Sequence, residues 1–524
     1  MECSCVRQTD LPHTTRLFAD YVYHPERVAG FYDRPHRNWE AYAEAARAVE
    51  LPAAHRAALV EALGPANAGS AALETLARPG TVAVVTGQQV GLFSGPAYTI
   101  YKALTAVRLA RELSARGIPA VPVFWLATED HDFAEVNHVW VFDPEHRARK
   151  LEMPRASSGQ PVGGVELADV PLAELRQALA GFPFAGEVVE MAASAYAPGS
   201  TMGAAFSALL RKVLGSFDMV QVDPLSPAVR ELAAPTLRRA VEQAPELNAA
   251  LLERNAQLTG AGYHAQVYVE ASTSLVFLLE NGRRLPLKRH GADYMQEGRR
   301  LTSAELSARA ERLSPNALLR PVVQDSILPT VAYIGGPAEL AYLAQSQVLY
   351  RRLLGHMPVA LPRTGFTLLD ARACKLMRRY ELRLMDFFHG FEPLRDRIAA
   401  RLVPPELHAV VAESRAAVEN AADRLATELA RFDPSLEKAL EKSRAKMRYQ
   451  IAKMERRVGR EAMLRDARAE GDAAYLYGLV CPERHLQERL YGILPFLAAH
   501  GPQLVDRLYN HVRLECPDHQ LAEV

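Results

Sequence analysis

The chain has 524 residues, of which 49% are hydrophobic, enough for one large core or for two to three domains. Its 61 basic and 61 acidic side chains cancel, which argues against binding driven by an overall basic field, as in general nucleic-acid binding. The five cysteines are odd in number and mostly far apart in sequence, which argues against a disulfide framework and favours a cytoplasmic location. We predict no signal peptide and no membrane span, because no suitable apolar run is present.

The N-terminus carries two closely spaced cysteines, Cys3 and Cys5, in a polar stretch that we expect to be irregular. The two thiols could form a metal or redox pair, or they could belong to an inert tail. We favour the inert tail.

The first half of the chain alternates strand patterns with helical patterns. A β-branched run at Thr81–Thr86 predicts a strand, Tyr98–Leu113 predicts a helix, and the continuously apolar Val121–Leu126 predicts a strand buried on both faces. Strand, helix and strand in this order form a right-handed βαβ unit. Further strands are predicted at Met219–Val222, Gln266–Val269 and Thr330–Ile334. The pattern indicates a doubly wound α/β core at residues 1–374.

Two stretches interrupt this alternation, and we interpret both as small insertions into the core. Residues near 144–195 are rich in proline, glycine and short polar runs. Residues near 276–318 contain Asn281-Gly282 between two apolar runs, which predicts a hairpin with a type I′ turn.

The chain becomes almost purely helical after Cys374. Approximate heptads at Leu407–Leu429 and Leu436–Val458, separated by Phe432-Asp433-Pro434, predict an antiparallel coiled-coil arm within residues 375–466. The second helix is rich in lysine and arginine. An anion- or nucleic-acid-binding arm would explain this charge, but a solvated coiled-coil flank is the commoner explanation, and we favour it. Residues 467–524 are expected to dock back on the core.

A glycine-rich segment, Thr86–Lys102, joins the first core strand to the following helix. Gly87, Gly91 and Gly95 permit positive φ and close approach of a ligand, and free N–H groups at a helix start bind phosphate or carboxylate. Lys102 lies two turns into the helix, where it could reach back to an anion or face solvent. The segment matches no established nucleotide fingerprint, so a tight strand-to-helix turn is the simpler alternative.

A polar cluster follows the next core strand, at the sheet edge where α/β proteins bind ligands. It comprises Glu129, Asp130, His131, Asp132, Glu135, Asn137 and His138. A catalytic base at His131, carboxylates that bind an ammonium group, and a divalent-metal site are all compatible with these residue types. Zinc is disfavoured because the spacing matches no ligand motif. Solvated loop residues are the plainer alternative.

A third set of polar residues accompanies the later strands. Arg320 or Arg363 could clamp a carboxylate bidentately, although each is individually more often part of a structural ion pair. Gln324 and Asp325 follow Arg320 on the same segment, and Gly335-Gly336-Pro337 predicts a sharp turn into a helix.

Long segments closely resemble the cysteine-adding enzymes of bacillithiol biosynthesis, and the resemblance covers nearly the whole chain. The segments that carry it are Thr86–Ala103, Phe124–His138, Gly262–Gln266, Leu319–Asp325, Leu328–Glu339, Leu361–Arg363 and Leu486–Arg489.

The resemblance implies a Rossmann-like core with two connective insertions and a coiled-coil arm through which two chains form a homodimer. It implies a ligase that joins the carboxyl group of cysteine to the amine of glucosaminyl malate as the last step of bacillithiol synthesis. Likeness of this fold to class I tRNA synthetases suggests ATP, with magnesium only as a companion of the nucleotide. The chain lacks their His-x-Gly-His motif, so ATP is an expectation by analogy of fold.

On this basis we assign catalytic roles to Asp130, His131 and Asp132, and no metal site. Substrate or anion binding is assigned to Gly87, Gln88, Gln89, Gly91, Gly95, Tyr98, Lys102, Glu129, Asn137, His138, Arg320, Gln324, Asp325 and Arg363. A nucleotide-binding scaffold without ligase chemistry is the alternative, which the dense polar cluster disfavours. A nucleic-acid-binding protein using the basic helix ranks last, because the overall charge is balanced.

Overall fold

A computed structural model describes residues 3–49, 51–154 and 159–524. Its strands are β1 Cys3–Val6, β2 Val82–Gln89, β3 Ala120–Ala127, β4 His138–Phe142, β5 Ala148–Glu152, β6 Val220–Val222, β7 Thr273–Glu280, β8 Arg283–His290, β9 Asp293–Gln296, β10 Arg299–Leu301, β11 Leu313–Pro315, β12 Thr330–Gly335, β13 Val359–Pro362, β14 Phe366–Leu369 and β15 His519–Glu523. Its α-helices up to the last core strands are α1 Arg16–Tyr23, α2 Trp39–Ala48, α3 Ala53–Leu63, α4 Ala71–Leu76, α5 Tyr98–Ala115, α6 Phe133–Val136, α7 Leu172–Leu179, α8 Ala185–Ala195, α9 Met202–Leu214, α10 Pro227–Glu242, α11 Ala244–Gly260, α12 Ser303–Ser307, α13 Arg320–Ile327 and α14 Pro337–Leu353. The later helices are α15 Ala371–Arg379, α16 Phe391–Arg401, α17 Pro405–Phe432, α18 Glu437–Arg465, α19 Ala469–Val480, α20 Gln487–Leu490, α21 Leu494–His500 and α22 Leu504–His511.

The central sheet is parallel, with the order β13-β12-β2-β3-β6. When the five strands are numbered by their order in the chain, their spatial order is 5-4-1-2-3, which is the Rossmann arrangement. The topological switch point therefore lies between β2 and β12. The predicted α/β, doubly wound fold is confirmed.

Strand β2 shows why the sheet is covered on both faces. Val82 and Val84 pack in one hydrophobic core, whereas the alternate residues Ala83 and Val85 pack in the other. All four side chains are buried, as expected for a parallel strand between two helical layers.

The second insertion is a five-stranded antiparallel sheet of order β10-β9-β8-β7-β11. Asn281 and Gly282 have φ values of 53° and 71°, so the predicted type I′ turn is confirmed. The first insertion contains the β4–β5 hairpin with α7 and α8.

The strand predicted at Gln266–Val269 is wrong. The side chain of Gln345 accepts a hydrogen bond from the Val267 N–H at 2.8 Å and donates one to its carbonyl oxygen at 2.9 Å. A buried glutamine thus satisfies the backbone that a neighbouring strand would otherwise pair.

Helices α17 and α18 form the predicted antiparallel arm, with the break at Phe432-Asp433-Pro434. Arg415 pairs with Glu455, while Glu419, one turn further along α17, pairs with Arg448, earlier in α18. Residue numbers rise along α17 while they fall along the facing part of α18, so the two helices are antiparallel.

The two ends of the chain meet in a small sheet in which β15 lies between β1 and β14. Strand β15 pairs antiparallel with β1 and parallel with β14. The irregular N-terminal tail predicted around Cys5 is therefore wrong, because this residue belongs to a paired strand. The position chosen as the end of the core, Cys374, falls inside α15. Within the described ranges, no helix combines the length and apolar character needed to cross a bilayer.

Candidate functional site

A cavity of about 380 Å³ opens at the carboxyl ends of β2, β3 and β12, at the switch point of the sheet. Its size lies within the range of small-molecule sites, about 300–1,000 Å³. It is lined by Gly87, Gln88, Gln89, Tyr98, Lys102, Trp125, Ala127, Asp130, Ala317, Arg320, Tyr333, Gly336, Pro337, Ala338, Glu339, Tyr342, Arg363 and Arg489. Eight of the residues assigned to the site from the sequence lie in this lining, and they come from four separate segments.

Lys102 is buried, and its ammonium group is fully occupied. Nζ lies 2.5 Å from Glu339 Oε2 and donates to the Gly87 carbonyl at 2.9 Å and to Gln88 Oε1 at 3.0 Å. Burial lowers the pKa of Lys102. Burial of Glu339 likewise disfavours the ionised form of its carboxyl group. Lys102 outweighs that burial and holds the pKa of Glu339 below its ordinary value. The pair ties the end of β2 to the first turn of α14, so Lys102 acts through Glu339 rather than as a free cation.

Arg320 is held in the cavity by neutral partners. Its guanidinium donates to Gln324 Oε1 at 2.9 Å, to Tyr342 Oη at 3.0 Å and to Tyr333 Oη at 3.2 Å. Its direct hydrogen-bond acceptors in the described chain include no carboxylate. The positive charge is therefore positioned but not neutralised, as expected for a group that binds an anion.

Gln324 and Asp325 lie behind Arg320 rather than in the cavity. Gln324 donates to Asp325 Oδ1 at 2.8 Å, and Tyr350 donates to the other carboxylate oxygen. Burial raises the pKa of Asp325 to about 6. This chain of hydrogen bonds fixes Gln324, and Gln324 in turn orients the Arg320 guanidinium.

Arg363 forms a buried bidentate ion pair with Glu488. The two N–O distances are 2.9 and 2.5 Å, and the side chains are only 6% and 3% exposed. Glu488 also accepts the Phe366 N–H at 3.0 Å. Arg363 therefore lines the cavity, but both terminal nitrogens of its guanidinium already bind Glu488 and not a substrate carboxylate.

Arg489, the next residue, is the cation that sequence reasoning missed. Its exposed side chain lines the cavity and forms no hydrogen bond or ion pair with the residues that the structure describes. An exposed arginine on a short helix gives no sequence signal beyond its place in the Leu486–Arg489 motif. Together, Arg320 and Arg489 give the cavity two positive charges without a carboxylate partner.

Asp130 is the member of the polar cluster that reaches the cavity. Its Oδ2 accepts from Gln89 Nε2 at 2.7 Å, and its Oδ1 accepts the His131 N–H at 2.7 Å and lies 3.5 Å from Arg284 Nη1. Burial opposes ionisation, but the hydrogen bond from Gln89 and the charge of Arg284 hold the pKa of Asp130 below its ordinary value. Asp130 is thus a carboxylate, suited to an ammonium group.

His131 is fixed by Arg284, a residue of the second insertion. Arg284 Nη1 lies 3.0 Å from His131 Nδ1. An arginine can only donate, so Nδ1 must accept, and in the neutral imidazole the proton then resides on Nε2. In this tautomer His131 presents a donor at Nε2, and its assignment as a catalytic base stays a prediction.

The other cluster residues do not line the cavity, although Glu135 accepts a hydrogen bond from the cavity residue Gln89 at 2.8 Å. Glu129 pairs with Arg230 at 3.0 Å in the interior, where burial raises the pKa of Glu129 to about 7. Asp132 is exposed, and Asn137 donates to the Met153 carbonyl at 2.9 Å. His138 sits in the β4–β5 hairpin opposite Glu152, and burial lowers its pKa.

The turn at Gly91–Gly95 is buried and internally bonded. The N–H groups of Gly91 and Gly95 donate to the carbonyls of Gln89 and Leu92, at 2.9 Å each, and Ala97 donates to Tyr491 at 2.7 Å. Gly91 and Gly95 do not line the cavity. In addition, their N–H groups, which were expected to cradle an anion, already donate to carbonyl groups of the protein. The first turn of α14, Gly336–Glu339, faces the cavity instead.

Two family models divide the chain between them. The N-terminal Rossmann-like domain of bacillithiol biosynthesis BshC matches residues 1–364, and the C-terminal coiled-coil domain of the same family matches residues 366–524. The chain belongs to the BshC family. The family match confirms the resemblance found in the motifs and the predicted fold class, a Rossmann-like core with a coiled-coil arm.

Full-length relatives carry the same family name. Proteins named "Putative cysteine ligase BshC" are 62% identical in Solibacter usitatus over 524 residues, with 100% of both chains covered, and 38% identical in Koribacter versatilis, with 99% of both covered. A third, from Symbiobacterium thermophilum, is 34% identical with 95% of both covered. These names agree with the ligase class that the motifs predict. In the ranges that the structure covers, no group of three or more His, Cys, Asp or Glu side chains is arranged to hold a metal ion.

Proposed function

We propose that this BshC-family protein joins the carboxyl group of cysteine to the amine of glucosaminyl malate, the last step of bacillithiol synthesis. The observation that carries the proposal is the separation of charge within one cavity. Asp130 follows β3 and Arg363 follows β13, three strand spacings away, or about 14 Å at 4.8 Å per strand, and the cations Arg320 and Arg489 line the same cavity. Such a cavity suits a ligand with an amine at one end and carboxylates at the other.

The cationic end would bind the malate group. Arg320 is oriented by Gln324 and two tyrosines, and the Arg489 guanidinium has no partner among the residues that the structure describes. The two carboxylates of malate match these two charges, and the first turn of α14 adds a favourable helix dipole. Arg363 would shape this end while remaining bonded to Glu488.

The acidic end would hold and deprotonate the amine. Asp130, ionised and anchored by Gln89, can accept hydrogen bonds from an ammonium or amine group. Once the amine nitrogen has attacked the carboxyl carbon of cysteine, it carries a positive charge and becomes strongly acidic. A carboxylate of low pKa can then take its proton. His131 does not line the cavity; in this proposal it supports Asp130 by donating its backbone N–H to that carboxylate.

The cysteine carboxylate must be activated before an amine can displace its oxygen, and we propose ATP as the activating reagent. The cationic end fits a phosphate group on the same grounds as a carboxylate, since Arg320 and Arg489 lie beside a helix N-terminus, so the nucleotide phosphate and the malate group would occupy this end in separate steps. When bound, ATP would supply a leaving group on the cysteine carboxyl. Magnesium enters only as the companion ion of the nucleotide.

We also propose a homodimer through the arm and a cytoplasmic location. Leu425 and Met454, on α17 and α18, are 52% and 56% exposed, and an unpaired two-helix arm leaves such an apolar face open. Sedimentation should give twice the chain mass, and Leu425→Asp combined with Met454→Asp should give the monomer. A wild-type monomer at micromolar concentration would contradict the dimer.

Product formation tests the reaction itself. The purified full chain, incubated with cysteine, ATP and glucosaminyl malate, should give a compound with the summed mass of the two acceptor partners minus one water. This compound, with the mass of cysteine plus glucosaminyl malate minus one water, is detected by mass spectrometry without labelling. Absence of this product with ATP, with other nucleoside triphosphates and with a cysteine thioester would refute the ligase and favour a nucleotide-binding scaffold.

A further inference from the structure

Two thiols from opposite ends of the chain lie side by side. Cys5 Sγ, in β1, is 3.9 Å from Cys516 Sγ, three residues before β15. Cys5 is exposed and Cys516 is half-buried, and both are unoxidised. Nothing in the proposed reaction uses either sulfur.

Neighbouring contacts hold these two segments together. The β1–β15 ladder pairs Cys5 with Gln520. Gln8 Nε2 donates to the Pro517 carbonyl at 2.7 Å, immediately after Cys516, and Tyr23 Oη donates to Asp518 Oδ1 at 2.5 Å. These contacts hold the backbone of Cys5 close to the backbone of Cys516, so the two sulfurs can meet without movement of the chain.

We infer that Cys5 and Cys516 form a redox-active dithiol that low-molecular-weight disulfides convert to a protein disulfide. One protein sulfur, as thiolate, attacks a sulfur of the small disulfide RSSR and expels RS⁻. The second protein sulfur then attacks the mixed disulfide and expels the second RS⁻. The protein loses two electrons and two protons, and RSSR becomes two RSH.

The Cys5–Cys516 disulfide would be linked to the wall of the cavity by a few hydrogen bonds of β15. In β15, Gln520 donates its N–H to the Gly365 carbonyl at 2.9 Å, and His519 Nε2 lies 2.8 Å from Thr367 Oγ1. Gly365 stands between Arg363, which lines the cavity, and Phe366, whose N–H bonds Glu488. Linking β1 to the segment before β15 would restrain this wall.

Exchange should be slow at neutral pH and faster in alkali. Burial, followed by the neighbouring Cys516, raises the pKa of Cys5 to about 11, so little Cys5 thiolate is present at pH 7. This behaviour suits a pair that responds to a sustained shift of the thiol–disulfide balance. The inference rests on geometry outside the cavity, and it stands whether or not the protein is a ligase.

Reduced full-length protein incubated with glutathione disulfide tests the inference. Thiol titration under denaturing conditions should fall from five to three per chain, and the mass should fall by two hydrogens. Peptide mapping without reductant should show a Cys5–Cys516 link, and the oxidised chain should have a higher Tm than the reduced chain. Dithiothreitol should restore five thiols.

Three variants make the test specific. Cys3→Ser and Cys374→Ser should keep the link, whereas Cys516→Ser should lose both the link and the Tm increase. Five thiols retained at pH 8.5, stable mixed disulfides with glutathione at Cys5 and Cys516, or a link from Cys3 to Cys516 would each overturn the inference. Product formation by the reduced chain is measured separately, so a failure of the ligase proposal can be told apart from a failure of the dithiol inference.

Discussion

Replacing Arg489 by glutamine removes the one cavity cation that has no partner among the described residues while keeping much of its side-chain volume. A charged hydrogen bond contributes about 1.5–3 kcal/mol when shielded from water, and Arg489 is exposed, so we take the lower end. A loss of about 1.4 kcal/mol is a tenfold rise in the Kd for glucosaminyl malate. No internal partner is orphaned, so the free energy of unfolding should stay within about 0.5 kcal/mol of the wild type.

Isothermal titration at low and high salt measures this effect. The difference between wild type and Arg489→Gln should shrink at about 1 M salt, where the screening length falls to about 3 Å. Arg78→Gln, an exposed arginine outside the cavity, is the matched control and should bind like the wild type. Glucosamine without malate should not distinguish Arg489→Gln from the wild type. An unchanged Kd for glucosaminyl malate, or an equal loss in Arg78→Gln, would refute the reasoning.

Three further predictions follow from the buried contacts. Arg284→Gln should release the tautomer of His131, so ¹⁵N NMR should show Nδ1 changing from unprotonated to partly protonated; an unchanged spectrum would contradict the role of Arg284. Glu488→Gln should cost about 3–5 kcal/mol of unfolding free energy in urea, because it leaves the Arg363 charge buried and unpaired, whereas Glu428→Gln, in an exposed pair, should cost under about 0.5 kcal/mol. Equal effects of the two would contradict the burial argument. The pKa of Glu129 is raised to about 7, so the folded state holds its proton more tightly than the unfolded chain, and this stability is lost as pH rises from about 4.5 through 7. Glu129→Gln should therefore gain stability relative to the wild type between pH 5 and pH 7.5, and a constant difference would contradict the raised pKa.

Local signals in the sequence predict the elements whose backbone is satisfied locally or by an obvious neighbour. The apolar runs that became β2 and β3 and the Asn281-Gly282 turn are of this kind. The run at Gln266–Val269 has similar composition but is not a strand, because Gln345, far along the chain, bonds Val267. A long-range side-chain contact of this type leaves no local trace.

The same limit applies to the site. Asp130 follows a strand and could be placed at the sheet edge from the strand pattern alone. Arg284 and Arg489 reach the site only through an inserted hairpin and through the docking of the C-terminal segment, which no local periodicity encodes. The sequence leaves open whether Lys102 reaches back to an anion or faces solvent, and in the structure it reaches Glu339 of the protein itself.

The glycine-rich segment shows how composition can indicate the wrong cause. A Cβ on Gly87 would lie 2.8 Å from the Trp125 carbonyl oxygen, and one on Gly91 would lie 3.1 Å from the Gly95 Cα. The close approach of backbone to backbone therefore explains Gly87, and it leaves little room for a side chain at Gly91. The segment still shapes the cavity, through Gln88, Gln89 and Tyr98.

The central claim is that the cavity at the switch point is where the amide forms, with Asp130 at the amine. The most direct test compares the rate of product formation by Asp130→Asn with that by Asp132→Asn, an exposed neighbour two residues away that does not line the cavity. We predict a loss of about 100-fold or more for Asp130→Asn and a wild-type rate for Asp132→Asn. Wild-type turnover by a folded Asp130→Asn chain would contradict the account.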